Sequence, residues 1–506
     1  MAAPEVILAP SEQDPLARAA TTGFGGPLGR FARRAVAPAG WMWPIRILVL
    51  MATGMHLLGY LMRMPCRAAD FMNRDRYPRL CYSDIPYLYT GRGFDVGAIP
   101  YLDHPAGKEA LEYPVLTGWF MHLASLLTGG TDEAAKTALR RASEFYDWNA
   151  ILLGICLIIA VVATALTVRH RPWDAAGFAL APVILTTGLI NWDLLAVALL
   201  AVSVMLWMRA HPAIAGVFFG LAVSAKFYPV VLIAVLGGLC LRNKKMADFA
   251  RFMSTALLAW AVVNVPIAIA APQEWAHFYV FSRTRGVDFG SVWLGLLYTA
   301  GVEIPPESLN TVVTATFVVL AAGVMALIFF ARQTPRLAQV AFLMIAAFCL
   351  ANKVYSPQYV LWMLPFAFLA RPRWRDFLIW QAGQVLYAVS VWLFLENSAG
   401  DGPRKGFNNL TYGVMTLVTI CITVWFCALV VRDILKPQLD IVRTSLRDVG
   451  SDAIAASTAA KESAQSQRAL VDTDAVALSA ATVGRGNGED MPPADGNAAD
   501  SPTVRD

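Results

Sequence analysis

Charged residues are scarce in this sequence. Only 15% of its 506 residues are charged, whereas 57% are hydrophobic, and an average soluble domain carries about a quarter charged residues. Water would not solvate a surface of this composition. The chain also lacks a P-loop, a GxGxxG turn, an HExxH motif and a CxxC pair, so nothing supports nucleotide hydrolysis or a built-in zinc site.

The hydrophobic residues collect in runs close to the ~20 residues that a helix needs to cross a bilayer. Residues 311–330 (TVVTATFVVLAAGVMALIFF) form the cleanest run. The pattern predicts an all-α polytopic membrane protein, a bundle of about 12 transmembrane helices. The predicted crossings are residues 43–63, 147–168, 174–190, 192–208, 212–225, 227–241, 250–271, 311–331, 337–351, 358–370, 376–395 and 410–431.

Lys and Arg are concentrated in the short loops between these runs. With the N terminus inside, the loops that fall in the cytoplasm are residues 169–171, 209–211, 242–245, 332–336, 371–375 and 432–436. The formal net charge is +5, but this placement indicates orientation by the positive-inside rule and not nucleic-acid binding. We therefore expect a multi-pass plasma membrane protein with cytoplasmic N and C termini.

Two apolar stretches do not fit this topology as crossings. Counting residues 114–128 as a span would send the later basic loops outside, so this stretch is predicted to lie on, or dip into, the outer face. The same reasoning applies to residues 292–300. The largest outer segment is then the first loop, residues 64–146, which bears juxtamembrane helices. Residues 272–310 and 396–409 form the other two outer segments.

Both ends of the chain differ in composition from the middle. Residues 1–40 are polar and rich in Gly, Pro and Ala, and residues 437–506 contain no aromatic residue. Such segments bury too little apolar surface to fold. Both are predicted to be disordered and cytoplasmic, apart from one short helix at the start of the C-terminal tail, and residues 41–436 form one transmembrane domain.

The seven cysteines divide into two groups. Five lie in apolar runs and are read as small hydrophobic residues: Cys156, Cys240, Cys349, Cys421 and Cys427. Cys66 and Cys81 fall in the first outer loop, where a disulfide is stable. The sequence leaves two alternatives for this pair, a disulfide or two buried thiols.

One acidic residue stands among aromatic residues in the first outer loop. Asp84 follows Tyr82 and precedes Tyr87 and Tyr89. Partial burial against these rings would raise the pKa of Asp84 toward neutrality, as a general base requires. The alternative is that Asp84 caps the helix that follows it.

Three further polar clusters lie at the same ends of predicted crossings. They are residues 191–193 (NWD), 226–229 (KFYP) and 352–359 (NKVYSPQY). Lys226 and Lys353, with Arg283 and Arg285 of the second outer segment, are suited to bind an anionic group such as a phosphate. The alternative for a Lys at a span end is snorkelling, in which the amine only reaches the interface.

The order of these motifs resembles a known family. Residues 83–89 (SDIPYLY), Pro100 with Tyr101, and residues 112–116 (EYPVL) resemble the first outer loop of GT-C glycosyltransferases. They are especially similar to polyprenyl-phosphate-mannose-dependent enzymes of the actinobacterial α-1,2-mannosyltransferase and arabinofuranosyltransferase family. The three later clusters resemble that family's remaining outer motifs, so the resemblance spans residues 41–431.

The resemblance implies transfer of a sugar, mannose in preference, from a polyprenyl-phosphate donor to a cell-envelope glycolipid or polysaccharide. It implies that Asp84 is the base toward the acceptor hydroxyl. Many relatives carry a second acid two residues later, where this chain has Pro86. An Asp-x-Asp metal pair is therefore missing, and we expect no cofactor and no strongly required divalent ion.

The remaining implied site residues divide by role. Lys353, Lys226 and Arg283 are the expected cations for the departing phosphate, while Asp84 deprotonates the acceptor and the anomeric carbon inverts in one displacement. The expected contacts to acceptor or sugar are Glu112, Tyr113, Tyr87, Asn191, Asp193, Asn352 and Gln358.

Two alternative functions remain open. The first is an arabinofuranosyltransferase of the same class. The second is a non-enzymatic transporter, or flippase, of a lipid or polysaccharide. Transporters more often show repeat symmetry or binding sites at mid-membrane, whereas the polar clusters here lie at the predicted outer ends of the crossings.

Overall fold

The computed structural model describes residues 6–8, 14–29, 34–36, 42–72, 76–128, 138–168, 170–399 and 406–444. Nearly all of these residues that have regular structure are helical, and one short antiparallel pair of strands, β1 (Val6–Leu8) and β2 (Arg34–Val36), stands apart. The prediction of an all-α polytopic membrane protein is confirmed.

The α-helices follow one another along the whole described chain. In order they are α1 (Pro15–Gly29), α2 (Met42–Met62), α3 (Met64–Arg67), α4 (Ile85–Gly91), α5 (Val115–Leu127), α6 (Ala138–Thr167), α7 (Ala176–Ala179), α8 (Val183–Thr187), α9 (Asp193–Met208), α10 (Pro212–Ala225), α11 (Leu232–Arg242), α12 (Met246–Ala270), α13 (Pro272–Thr284), α14 (Val292–Ala300), α15 (Pro306–Phe330), α16 (Leu337–Ala351), α17 (Val360–Ala370), α18 (Trp374–Ala399) and α19 (Asn409–Leu435).

Six helices of the described chain, namely α2, α6, α12, α15, α18 and α19, are long and apolar enough to cross a membrane. The shortest of them, α2, has 21 residues, which at ~1.5 Å per residue covers the ~30 Å hydrocarbon core. Six further apolar helical segments are shorter. The structure therefore has the helices of a membrane-embedded protein.

Eleven of the twelve predicted crossings coincide with helices in the described residues, and one does not. The prediction of a continuous crossing over residues 174–190 is wrong, because this segment breaks into a 3-10 turn, α7 and α8. Pro182, at the start of α8, has no N–H for a helical hydrogen bond and disfavours helix in the preceding residue. Because the segment is almost entirely apolar, its hydropathy gives no sign of this break.

Close helix packing in the bundle depends on small residues of α10. A Cβ added to Gly216 would lie 2.1 Å from the carbonyl oxygen of Phe252, and one added to Gly220 would lie 2.2 Å from that of Ala256. Any larger residue would force α10 away from α12. Small residues allow such backbone approach between membrane helices.

The two tails are partly described, and both contact the bundle. The extension predicted to be disordered contains α1, whose start is fixed because the Asp14 carboxylate accepts from the backbone N–H of Leu16 and of Trp374 in α18. In the predicted C-terminal tail, Asp440 pairs with Arg336 at 2.8 Å. These contacts involve only the described parts of the two tails, and the disorder expected of the tails stays a prediction. Residues 1–5, 9–13, 30–33, 37–41 and 445–506 lie outside the described residues.

Candidate active site

A cavity of about 310 Å³ opens where the first loop meets the ends of several helices. Its lining combines carboxylates, cations, amides and aromatic rings. The lining residues are Tyr82, Asp84, Tyr87, Leu88, Glu112, Tyr113, Asn191, Lys226, Phe278, Phe281, Ser282, Arg285, Ser356, Gln358 and Tyr359.

The first loop is fixed to the bundle on both sides of the residues that enter the cavity. Cys66 and Cys81, predicted as a possible pair, form a disulfide, and both are fully buried. Arg63 precedes this bridge at the end of α2, and its buried guanidinium donates to the carbonyls of Leu185 and Thr186 at 2.8 Å. Arg63 thus holds the broken helix segment against the loop.

Asp84 is held by the turn that follows this broken segment. Its backbone N–H donates to the Ile190 carbonyl at 2.9 Å, and the Ser83 hydroxyl donates to the Leu189 carbonyl at 2.8 Å. Asp84 occupies the N-cap of α4, but its carboxylate makes no capping hydrogen bond. The side chain is therefore directed to the cavity and not used to cap the helix.

The surroundings of Asp84 favour proton exchange near neutral pH. Burial raises the pKa of the Asp84 carboxyl to about 6, assisted by the negative charge of Glu112. A hydrogen bond from Tyr82 and the positive charge of Lys226 act in the opposite direction. A carboxylate with a pKa close to the working pH is suited to act as a general base.

Glu112 lines the same cavity with its carboxylate oriented by a cation. Arg92 forms a two-pronged ion pair with Glu112, at 2.7 Å from Nε and 2.8 Å from Nη2, and its third nitrogen contacts Glu109. Such a forked pair fixes the plane of the carboxylate. Glu112 is thus positioned to orient a hydroxyl group in the cavity.

Lys226 enters the cavity between α10 and the next helical turn. Its ammonium lies 3.4 Å from Oδ2 of Asp193 and 5.0 Å from the centroid of the Tyr113 ring. Asp193 is fully buried and also accepts from the Trp362 indole at 2.6 Å. Asp193 was predicted to contact a sugar, but it does not line the cavity. It lies on the side of Lys226 away from the cavity and orients the Lys226 ammonium.

Asn191 contributes an amide to the cavity. Its side chain is only 4% exposed, and its Oδ1 atom has no hydrogen-bond partner in the described part of the chain. Leaving a buried acceptor unpaired costs on the order of 1–3 kcal/mol. A ligand hydroxyl that donates to Asn191 would recover this cost.

Besides Asp193, three residues predicted for the site lie outside the cavity lining. Lys353 is buried and donates to the Arg283 carbonyl and to Asn310 Oδ1, both at 2.8 Å, so its amine ties α13 to α15. Burial and the nearby Arg285 lower the pKa of Lys353. The Arg283 side chain is exposed, and Asn352 also faces elsewhere.

The second cation of the cavity is Arg285, the residue directly after the end of α13. Its Nε lies 2.7 Å from Oδ2 of Asp288, and its side chain lines the cavity. Phe278, Phe281, Ser282 and Arg285 follow helical spacing, so the i, i+3, i+4, i+7 pattern was the available signal for this wall. Sequence reasoning also missed Tyr82, Ser356 and Tyr359 as lining residues.

No three His, Cys, Asp or Glu side chains of the described residues lie close enough to hold a metal ion together. The two carboxylates that line the cavity, Asp84 and Glu112, have different partners: Tyr82 donates to Asp84, and Arg92 holds Glu112. The donor set therefore offers cations and amides to an anionic ligand.

The cavity and the apolar helices together define a membrane protein with a polar, ligand-sized site. The class is a membrane glycosyltransferase, because the family model of glycosyltransferase family 87 matches residues 136–352. The match covers Asn191, Lys226 and Arg285, and it begins after the part of the first loop that carries Asp84. No curated protein and no solved structure matches the chain significantly.

Proposed function

We propose that this protein transfers a sugar from a polyprenyl-phosphate donor to a hydroxyl of a cell-envelope glycolipid or polysaccharide. Mannose is the proposed sugar. The observation that carries the proposal is one cavity whose lining includes a carboxylate with a pKa of about 6, two cations and the amide side chain of Asn191. These groups match the needs of glycosyl transfer from a lipid phosphate.

In the proposed reaction Asp84 takes the proton of the acceptor hydroxyl. The acceptor oxygen then forms a bond to the anomeric carbon of the donor as the bond from that carbon to the phosphate oxygen breaks. Polyprenyl phosphate leaves with the electron pair, and the configuration at the anomeric carbon inverts. Lys226 and Arg285 meet the charge that develops on the phosphate, the step at which fixed cations have their largest effect.

The other lining groups hold the sugars in this scheme. Glu112 and Asn191 bind hydroxyl groups, and Gln358 adds a second amide. Tyr87 and Tyr113 supply aromatic faces, of which Tyr113 is shared with the Lys226 ammonium. Because the leaving phosphate is met by side-chain cations, the proposal includes no required divalent ion.

The proposed location of the site is the non-cytoplasmic face of the plasma membrane. This rests on the six basic loops, which the positive-inside rule assigns to the cytoplasm. The cavity is lined by residues of the first loop and by residues at the opposite ends of the helices from those basic loops. A lipid donor and a cell-envelope acceptor would meet there.

The test is a transfer assay with the purified protein in nanodiscs, with radiolabelled polyprenyl-phosphate mannose and a panel of envelope glycolipids. We expect label in an acceptor with the wild type and a rate at least about 100-fold lower with Asp84→Asn, because general bases contribute about 100- to 10,000-fold. Glu307→Gln, which changes an exposed carboxylate of α15, is the matched control.

Other outcomes separate the alternatives. Transfer only from polyprenyl-phosphate arabinose would replace mannose by arabinofuranose within the same class. Movement of lipid across the membrane without a new glycosidic bond would favour the flippase. Full transfer by a well-folded Asp84→Asn protein would remove Asp84 as the base.

A further inference from the structure

A second, apolar recess lies beside the polar cavity, between α10, α11, α12 and α13. Its volume is about 210 Å³, and its lining is hydrophobic apart from the hydroxyl of one tyrosine. The lining residues are Phe219, Gly220, Val223, Phe227, Val230, Ile233, Met253, Ala256, Leu257, Trp260 and Tyr279. Leu257 is 63% exposed, so the recess opens on the outer surface of the bundle, where hydrocarbon surrounds a membrane protein.

The recess and the polar cavity share a wall of adjacent residues. Lys226 lines the cavity and Phe227 lines the recess; likewise, Phe278 lines the cavity and Tyr279 lines the recess. The rings of Phe227 and Tyr279 meet edge to face, with centroids 6.2 Å apart. A molecule that crossed this wall would have its polar part at Lys226 and its apolar part in the recess.

The wall is anchored to the helices on either side of the recess. The Trp275 indole of α13 donates to Asn264 Oδ1 of α12 at 3.2 Å, and Asn264 donates to the Ser224 hydroxyl of α10 at 3.0 Å. Trp275 in turn packs against Tyr279, with ring centroids 5.2 Å apart. This chain of contacts keeps Tyr279 over the recess and makes the recess a built feature of the fold.

We infer that this recess binds the part of the donor's polyprenyl chain that lies next to the phosphate. The inference rests on the proposed function and adds to it a place for the lipid. The charge pattern selects the donor as occupant, because its phosphate is the anionic group that suits Lys226 and Arg285, and its chain begins directly at that phosphate. An acceptor, by contrast, presents its hydroxyl to Asp84.

The test compares donors of different chain length. Val223→Trp and Met253→Trp fill the recess, and we expect each to raise the KM for radiolabelled polyprenyl-phosphate mannose by about tenfold, the effect of losing burial of a few methylene groups. The KM for methyl-phosphate mannose, which has no isoprenoid chain to place in the recess, should change less than about twofold. Transfer from the short donor also shows that the variants are folded.

Leu258→Trp is the matched control, because Leu258 is 65% exposed on the same helix and does not line the recess. Equal increases in KM for both donors, or an unchanged KM for the long donor, would overturn the inference. A dependence on the acceptor's lipid chain instead would assign the recess to the acceptor and equally overturn it.

A binding measurement keeps the test independent of transfer. Wild-type protein in nanodiscs is labelled with a polyprenyl phosphate that carries a photoreactive group next to the phosphate, and the labelled peptides are identified by mass spectrometry. Label on the recess-lining parts of α10 and α12, lost in Val223→Trp, supports the inference even if the proposed sugar is wrong. Label confined to other helices would contradict it, whereas failure of all sugar transfer would count against the proposed function alone.

Discussion

The pair α16 and α17 has a charged cluster at each of its two ends, and the two clusters differ in how their charges are paired. At one end, Lys353 follows α16 and Gln358 precedes α17, beside the polar cavity. At the other end, Arg336 precedes α16 and Arg371 follows α17. The cavity at the first of these ends is also lined by Asp84, Asn191 and Lys226 from other parts of the chain.

In the cluster around Arg371, which we call the closed cluster, the charged side chains form ion pairs with one another. The Arg371 guanidinium donates to Asp376 at 2.7 and 2.9 Å and also to Asp433, and all three side chains are almost fully buried. Arg336 is likewise paired with Asp440, at 2.8 Å. These buried ion pairs hold α17, α18 and α19 together, although Oδ1 of Asp433 has no hydrogen-bond partner among the described residues.

In the cluster around the cavity, which we call the open cluster, several polar groups have few partners or none among the described residues. Lys226 has one carboxylate partner at 3.4 Å, Asn191 Oδ1 has none among the described residues, and the Asp84 carboxyl has its pKa raised by burial to about 6. Polar groups left underpaired in a membrane protein cost stability. At this end the underpaired groups belong to residues that line a cavity large enough for a ligand.

The largest effect expected on stability lies in the closed cluster. Arg371→Met would leave Asp376 and Asp433 buried without their cation, and we expect a loss of about 3–5 kcal/mol, the usual cost of breaking a buried pair. Thermal unfolding in detergent is the measurement. Arg375→Met is the control, since Arg375 is 75% exposed and pairs with the same Asp376, so it should cost at most about 1 kcal/mol. Equal losses would break the comparison.

In the open cluster, Lys226 should matter for the reaction as well as for folding, because it is the cation beside the buried Asp193. Lys226→Ala is expected to lower kcat/KM for the donor by about 100-fold, because a fixed charge at the departing phosphate is lost. Lys353→Ala removes a cation that contacts only a carbonyl and an amide oxygen, so it should lower the unfolding temperature and leave kcat/KM within about threefold. The reverse order would return the phosphate site to Lys353.

The smallest expected effect is the change in stability caused by Asn191→Leu, and its direction is what tests the comparison. Asn191→Leu removes a buried oxygen without a partner, so we expect stability to rise by about 1 kcal/mol. At the same time, kcat/KM should fall about tenfold as a hydroxyl contact is lost. Unfolding midpoints and steady-state kinetics on the same preparation measure both. A fall in stability would show that Asn191 is part of the scaffold.

The sequence predicted the helices well and the site in part. Apolar runs predicted eleven helices that the structure contains. The twelfth predicted helix is interrupted near Pro182, and hydropathy does not reveal the interruption because the residues around it are also apolar. The polar residues Asp84, Asn191 and Lys226, which the sequence predicted for the site, line one cavity, and their role in a reaction stays a prediction. The choice between Arg283 and Arg285 depends on which way two neighbouring side chains turn, and tertiary contacts decide that.

The buried partners were beyond sequence reasoning for a similar reason. Asp193 was expected to touch a sugar, and only the packing of Trp362 against it reveals that it lies behind Lys226. The same applies to Arg63, a span-end cation whose partners are backbone carbonyls. Residue type gives the chemistry of a group, and the fold gives its direction.

The pH dependence of kcat/KM tests the central claim, that Asp84 is the base, most directly. In the proposed reaction Asp84 acts only as the carboxylate, and its pKa is about 6. The account therefore predicts a plateau above neutral pH and a tenfold fall in kcat/KM for each pH unit below about 6, measured with wild-type protein whose fold is checked at each pH. A profile that stays level from pH 8 to about pH 5 would contradict it.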